Sequence, residues 1–149
     1  MFCEKLWEEF VIVQNVNHGA DAEKLHRLVD KFLVSTDNQD AKPDFVLQSV
    51  IDAAEARNAV VLCAQDVAGR PSGYIVARII CNYGTLIVFV EQIYSERANV
   101  GKELFHRICE WGRSNGIGKV VGTTFHRGRA VSRVFGTEIR GYYLVKQLS

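Results

Sequence analysis

The chain has 149 residues, of which 48% are hydrophobic and 23% charged, and its formal net charge is +1. This composition is typical of a globular domain that buries a core without metals or disulfides, and we expect a single domain over residues 1–149. A net charge this small excludes a function that depends on a large overall excess of charge. A nucleic-acid or membrane partner would therefore need a local patch.

The cysteines and histidines do not have the spacing of a metal site. The four cysteines contain no CxxC pair, and the four histidines also lack ligand spacing, so we predict no bound metal. Three of the cysteines stand in strongly apolar surroundings, and we expect reduced thiols buried in the core. The four are Cys3, Cys63, Cys81 and Cys109.

The chain shows no targeting or membrane signal. Residues 1–9 carry acids and lack the apolar stretch of a signal peptide. The longest apolar runs, such as residues 86–90, are too short to cross a bilayer. We expect a cytoplasmic protein without a membrane partner.

The first part of the chain predicts one strand and two helices. Residues 10–16 resemble a strand, and Asp21 is the predicted N-cap of the helix that follows. That helix has apolar residues at helical spacing, namely Leu25, Leu28, Val29, Phe32 and Leu33. After a polar loop at residues 35–42, Pro43 is the predicted start of a second helix. Its predicted apolar face consists of Phe45, Val46, Val50 and Ala53.

The remainder predicts three consecutive strands and then a strand–helix–strand unit. The strands cover residues 59–65, 74–81 and 85–94. The later elements are a helix at 99–114, a strand at 119–125, a short basic helix at 129–135 and a last strand at 140–148. Sequential strands pair antiparallel, whereas a crossover through a helix is parallel. The order β-α-α-β-β-β-α-β-α-β therefore predicts a mixed α/β sheet of the α+β type, with helices on both faces.

The start of the helix at 99–114 is a candidate anion site. The first N–H groups of a helix lack intrahelical partners, and the helix dipole adds partial positive charge. Gly101 would let a phosphate approach the backbone closely, and Arg97 and Lys102 could supply charged contacts. The GxxxxGK[ST] and GxGxxG motifs are absent, which argues against ATP and NAD.

The order of elements and three local sequences resemble the GNAT superfamily of N-acetyltransferases. The family has the pattern Q/R-x-x-G-x-G/A at this helix start; here Glu96 and Asn99 depart from it and Gly101 matches. Residues 104–116 (LFHRICEWGRSNG) resemble the family's "LL…EEWAREQG" helix, and residues 135–143 resemble its "LGFE…GYY" ending. The resemblance spans residues 10–148 and implies a GNAT-like central mixed sheet.

The resemblance implies acetyl-coenzyme A as acyl donor. In the family, the loop N–H groups hold the diphosphate, and the pantetheine arm lies between two splayed strands, here 85–94 and 119–125. A backbone N–H near Ile93 would polarise the thioester carbonyl. The residues implied to bind the coenzyme are Ile93, Tyr94, Arg97, Asn99, Val100, Gly101, Lys102 and Arg129.

The candidate general base is Glu91, an acid in the middle of an otherwise apolar strand. Alternatively, Glu91 marks an exposed strand end or pairs with a basic residue such as Arg78. The general acid is expected among Tyr142, Tyr143 and His126. The position at which the family often has a tyrosine is occupied here by Ser132.

The expected acceptor is a primary amine of a small molecule or a protein. Acidic Asp37 and Asp40, in the polar loop where the family binds acceptors, would suit a cationic amine. Residues 140–148 could pair across two copies to form a homodimer.

A basic cluster lies near the predicted short helix, at His126, Arg127, Arg129 and Arg133. It is interpreted as a solvated face, as a contact for the 3′-phosphate of the coenzyme, or, ranked last, as a docking patch for RNA or an acidic protein.

Two main functions stay open at this point. The chain is either an acetyl-coenzyme-A-dependent N-acetyltransferase or a GNAT-fold binding or structural module that has lost turnover. A more distant alternative is an unrelated α/β binding domain.

Overall fold

The computed structural model describes residues 11–36 and 41–122. Its five strands form one sheet in the order β1-β2-β3-β4-β5. The strands are β1 (Ile12–Asn15), β2 (Ala59–Gln65), β3 (Pro71–Asn82), β4 (Thr85–Ser95) and β5 (Val120–Gly122). The helices are α1 (Gly19–Glu23), α2 (His26–Ser35), α3 (Pro43–Glu55) and α4 (Ala98–Ser114).

Strands β2 to β4 form the predicted antiparallel meander, β1 adds antiparallel to β2, and β5 pairs parallel to β4 after the crossover through α4. Tyr83 and Gly84 form the tight turn between β3 and β4, with φ angles of 50° and 81°. Two positive φ values suit the twist of a two-residue hairpin. The mixed α/β sheet predicted from the sequence is confirmed.

Helices cover both faces of this sheet. Helices α1, α2 and α3 enclose one hydrophobic cluster, which includes Leu28, Val50 and Tyr74. Helix α4 covers the opposite face and encloses a second cluster, which includes Val88, Leu104 and Ile108. Strands β2 and β3 contribute buried residues to both clusters, because they lie inside the sheet and are covered on both faces.

Two predictions about the helices are wrong. The first predicted helix is two helices, α1 and α2, separated by a turn at Lys24 and Leu25, and His18 rather than Asp21 occupies the N-cap position. Phe45 is 72% exposed, with the Lys42 ammonium 5.9 Å from its ring centroid. Phe45 precedes the buried Val50 by five residues, which in an α-helix corresponds to a rotation of about 140°. The Phe45 side chain therefore points away from the buried side of α3.

The cysteines of the described residues differ in environment. Cys63 is buried, Cys109 is half-buried and Cys81 is exposed, so the expectation of a core position is wrong for Cys81. Cys81 lies near the end of β3, where the hairpin extends beyond the helices.

Among residues 11–36 and 41–122, no helix is long and apolar enough to cross a bilayer.

Candidate active site

A β-bulge interrupts β4 at Glu91. Val90 lies opposite Ala77 and Gln92 lies opposite Val76, so Glu91 is an extra residue without a partner of its own on β3. A bulge shifts the alternation of the strand by one residue. As a result Val90 faces the α4 cluster, whereas Gln92 lies on the opposite face, where its side chain reaches Tyr74.

The bulge also changes which backbone amides face β5. The Val88 amide donates to the Lys119 carbonyl on the β5 side at 3.0 Å, whereas the Glu96 amide donates to the Ser72 carbonyl on the β3 side at 3.0 Å. An unbroken strand would direct both amides to the same side, because alternate residues share an orientation. Successive amides of a strand point to opposite sides, and Ile93 lies three residues before Glu96. The Ile93 amide therefore faces the β5 edge.

Glu91 forms an ion pair with Arg78, with 2.5 Å between the Arg78 Nε and the Glu91 Oε1. The two side chains are only 23% and 24% exposed. The sequence left pairing with Arg78 open as an alternative to a free carboxylate, and this pairing is the arrangement in the structure. The role of Glu91 as a base stays a prediction.

Gln92 is the polar residue that is buried within this part of the sheet, with an exposed fraction of 7%. Its Oε1 accepts a hydrogen bond of 2.8 Å from the Tyr74 hydroxyl. Burial raises the pKa of Tyr74 well above the ordinary value, and the edge of its ring packs on Phe32 at 6.3 Å. Sequence analysis did not single out this pair, although a glutamine within an apolar strand is a usable signal.

The N-terminus of α4 follows directly on the end of β4. Arg97 is the N-cap residue, with extended φ and ψ of −137° and 146°, and its side chain makes no cap hydrogen bond. Gly101 is buried, and its amide bonds the Arg97 carbonyl at 3.2 Å. Arg97 and Lys102 are exposed, and neither forms an ion pair with any of the described residues.

Gly73 on β3 allows α4 to lie close to the sheet. A Cβ at this position would be 2.9 Å from a Val100 methyl, 3.1 Å from the Tyr94 carbonyl oxygen and 3.2 Å from a Leu104 methyl. The glycine therefore determines how near the first turn of α4 comes to β4. Sequence analysis interpreted Gly73 as part of a turn and missed this contact.

Glu96 connects the turn before α4 to the opposite helical layer. Its carboxylate accepts a hydrogen bond from Arg27 at 2.9 Å and lies 3.7 Å from the Lys31 ammonium. Arg27 also donates to the Pro71 carbonyl at 2.8 Å. The hydrogen bond from Arg27, and then the charges of Arg27 and Lys31, hold the pKa of Glu96 below its ordinary value. Sequence analysis placed Glu96 in the helix-start motif but did not predict these partners.

An open hollow of about 410 Å³ lies between α2 and β4. Its lining residues are Asp30, Lys31, Val34, Ser35 and Tyr94. Tyr94 thus faces the hollow, and Lys31 contributes both to the hollow and to the contact with Glu96. The acidic residues predicted for the acceptor side, Asp37 and Asp40, lie outside the described residues.

The structure brings together the predicted residues of β4 and the start of α4 in one continuous segment. Ile93 and Tyr94 precede the turn, and Arg97, Asn99, Val100, Gly101 and Lys102 follow it. The remaining predicted site residues lie outside the described part of the chain, namely His126, Arg129, Ser132, Tyr142 and Tyr143.

No model of a protein family and no curated protein matches this sequence. Solved structures do match its fold. The aminoglycoside N-acetyltransferase AAC(6')-Iy, in complex with a bisubstrate analogue of coenzyme A, is 17% identical with a TM-score of 0.75, over 94% of this chain and 99% of that one.

Two further structures show the same likeness. The aminoglycoside 6'-N-acetyltransferase AAC(6')-Ih from Acinetobacter baumannii is 14% identical with a TM-score of 0.73, over 94% of this chain and 100% of that one. A ribosomal-protein-alanine N-acetyltransferase from Brucella melitensis biovar Abortus 2308 is 18% identical with a TM-score of 0.69, over 93% and 99% of the two chains. At such low identities the likeness concerns the fold.

Proposed function

The chain has the GNAT fold, as its sequence predicts, and from this premise we propose that it is an N-acetyltransferase. The reaction would transfer an acetyl group from acetyl-coenzyme A to a primary amine of a small molecule or a protein. The observation that carries the proposal is the bulged strand β4 leading directly into the N-terminus of α4.

The coenzyme diphosphate would lie at the first turn of α4. The N-cap residue Arg97 makes no side-chain cap hydrogen bond, and a helix N-terminus favours an anion through its N–H groups and its dipole. Arg97 and Lys102 are exposed there without an acidic partner among the described residues, so both are available for the diphosphate. AAC(6')-Iy, which has a similar fold, was solved in complex with coenzyme A, and this supports acetyl-coenzyme A as the ligand.

The Ile93 amide would polarise the thioester carbonyl. The bulge at Glu91 directs this amide toward the β5 edge, in the direction of the strand that completes the predicted cleft. A backbone donor at the carbonyl oxygen stabilises the charge that develops when an amine attacks. The acceptor amine would approach from the hollow between α2 and β4, where Tyr94 lies.

Glu91 is the proposed proton acceptor for the amine. Its carboxylate lies on the bulge, two residues before Ile93, where it contacts Arg78. To reach an acceptor amine, directly or through a water, Glu91 must share or leave the Arg78 guanidinium. Tyr142 and Tyr143 remain the proposed donors of the proton to the leaving thiolate.

Calorimetry with acetyl-coenzyme A tests the coenzyme site. We expect wild-type protein and Gly118→Glu to bind, because Gly118 has open space around it and lies before β5, away from the α4 N-terminus. Gly101→Glu should abolish binding, because it adds a bulky negative charge at the buried glycine of the first turns. Absence of binding by the wild type at millimolar coenzyme would contradict the proposed function.

Turnover tests the catalytic assignment. The wild type should release free thiol from acetyl-coenzyme A when it is offered a panel of small primary amines and peptides with free N-termini. Glu91→Gln should slow this release about 100-fold or more while leaving coenzyme affinity unchanged. An unchanged rate would remove Glu91 from the mechanism.

A second candidate function is a GNAT-fold binding module without turnover. The ion pair between Glu91 and Arg78 supports it, because the proposed base already has a partner. The family motif also departs at Glu96 and Asn99. Tight coenzyme binding without thiol release for any amine of the panel would favour this second function.

A further inference from the structure

The only acidic side chain directly before α4 is turned away from the helix in this structure. The first turn of α4 contains no acid, and Glu96 stands one residue before the N-cap residue Arg97. A carboxylate at this distance could bend back to the helix, because carboxylates favour the N–H groups and the positive end of the dipole. The N-cap residue Arg97 makes no side-chain cap hydrogen bond, so Glu96 is the carboxylate nearest to these N–H groups in sequence.

A pair of cations on α2 contacts the Glu96 carboxylate instead. Arg27 and Lys31 are one helical turn apart and both approach the Glu96 carboxylate, at 2.9 and 3.7 Å. Arg27 is itself fixed, because it also donates to the Pro71 carbonyl at 2.8 Å. The backbone of Glu96 is held on the sheet by the hydrogen bond from its amide to Ser72. The side chain is therefore held on the α2 side of the turn.

We propose that Arg27 is a positioning residue, which keeps the N-terminus of α4 open for the coenzyme diphosphate by holding the Glu96 carboxylate against α2. This inference rests on the proposed coenzyme site. Without Arg27, the Glu96 carboxylate would cap α4 and compete with the diphosphate for the same N–H groups. The two members of this ion pair thus have opposite effects on coenzyme binding.

Opposite effects of the Arg27 and Glu96 variants on coenzyme affinity would distinguish a positioning role from a purely structural one. Arg27→Met should weaken the affinity for acetyl-coenzyme A by about 5- to 10-fold, with kcat unchanged. Glu96→Gln should bind the coenzyme at least as tightly as the wild type, since the competing charge is gone. The double variant Arg27→Met/Glu96→Gln should recover the affinity of the wild type.

Arg107→Met is the matched control. Arg107 pairs with Glu103 within α4 at 2.9 Å, and the exposed fractions of the two side chains are 46% and 35%. The corresponding fractions are 48% and 37% for Arg27 and Glu96. Arg107→Met should therefore lose a comparable ion pair without changing coenzyme affinity. With S-acetylpantetheine, a donor that lacks the diphosphate, Arg27→Met should have the KM of the wild type.

A measurement without coenzyme tests the same inference independently. In Arg27→Met, the amide NMR signals of Ala98 and Val100 should shift more as the Glu96 carboxylate titrates than they do in the wild type, because the carboxylate then lies against these N–H groups. If the Ala98 and Val100 amide signals of Arg27→Met shift no more than those of the wild type as Glu96 titrates, the inference is overturned, whatever the protein catalyses. Equal weakening of coenzyme binding by Arg27→Met and Glu96→Gln would also overturn it, because that result indicates a structural tie only. Failure of the wild type to bind the coenzyme, by contrast, contradicts the proposed function and leaves the NMR result to decide on Arg27.

Discussion

At the scale of single residues, Gly73 shows how one missing side chain determines the placement of a helix. The atoms around its position come from Val100 and Leu104 on α4 and from the Tyr94 carbonyl on β4. The closest of these atoms would be 2.9 Å from an added Cβ, well inside ordinary contact distance. An alanine here must push α4 away from β3 or distort β4.

Gly73→Ala should therefore destabilise the protein by about 1–3 kcal/mol, as overpacking does in other cores. The control is Gly118→Ala, since a Cβ at Gly118 would have no atom within 4 Å and its φ is not positive. The control should match or slightly exceed the wild type in stability. Urea unfolding of the three proteins measures the difference. Equal stability of Gly73→Ala and the wild type would show that α4 shifts without cost.

The cysteines provide a second prediction at this scale. Burial raises the pKa of Cys63 to about 11, so little thiolate is present at neutral pH, and its sulfur is inaccessible. Cys81 is exposed near the end of β3. In native protein at about pH 8, a thiol reagent should modify Cys81 first and Cys63 much more slowly. Peptide mass spectrometry over time measures both, and faster modification of Cys63 would contradict its buried placement.

At the scale of elements, the bulge in β4 changes the face of the sheet on which Gln92 lies. An unbroken strand would keep Gln92 on the same side as Val90, in the apolar cluster under α4. The bulge instead brings its side chain to the Tyr74 hydroxyl at 2.8 Å, so that a buried polar group is satisfied. The hydrogen bond and the bulge thus support each other.

Tyr74→Phe removes the donor and leaves the Gln92 oxygen buried, which should cost about 1–3 kcal/mol of stability. Replacing both members, as in Tyr74→Phe/Gln92→Met, should cost less than the single change, because no polar group is then left unpaired. Tyr83→Phe, at a fully exposed tyrosine of the hairpin turn, is the control and should be neutral. Chemical denaturation tests all three variants, and a double variant less stable than Tyr74→Phe would count against this account.

At the scale of the whole molecule, the Arg27–Glu96 contact joins the helical layer of α2 to both the start of β3 and the start of α4. Arg27 reaches Glu96 across 69 residues of sequence and Pro71 across 44. The contact is partly exposed, so solvent screens it and we expect about 0.5 kcal/mol of stability from it. Its larger consequence is the position of the Glu96 carboxylate relative to α4.

This contact predicts a specific pH dependence. The pKa of Glu96 is lowered in the folded state, so its stabilising contribution is complete above the ordinary value of 4.5 and is lost as the pH falls through the folded-state value. Arg27 and Lys31 are the charged groups that face Glu96.

The wild type should therefore exceed Glu96→Gln in stability at pH 7, and the difference should disappear between about pH 5 and pH 3. Unfolding by urea at a series of pH values measures this difference. Other acids of the fold, such as Asp66, titrate equally in both proteins and cancel. A constant difference down to pH 3 would show that the carboxylate charge does not contribute.

The local sequence by itself determined most of the elements. The apolar run of β2 predicts its bounds as observed, and Pro43 starts α3 as predicted. Asn115 and Gly116 end α4, where Gly116 has the positive φ of 75° that glycine tolerates. These features depend on neighbours within a few residues, so periodicity and turn chemistry suffice to predict them. The mixed sheet with helices on both faces follows from their order.

Only the tertiary structure decided the details of the site. The bulge at Glu91, the pairing of Glu91 with Arg78 and the approach of α4 to Gly73 each join different elements. The hydrogen bond from Arg27 to Glu96 likewise joins two elements, α2 and the turn before α4. The sequence offered the Glu91–Arg78 pair only as one alternative, and local pattern does not predict the other contacts, because the partners are brought together by the packing of whole strands and helices. For this protein, the sequence therefore predicted a candidate coenzyme segment, and the packing of α2 and β3 against that segment decided how its charges and amides are directed.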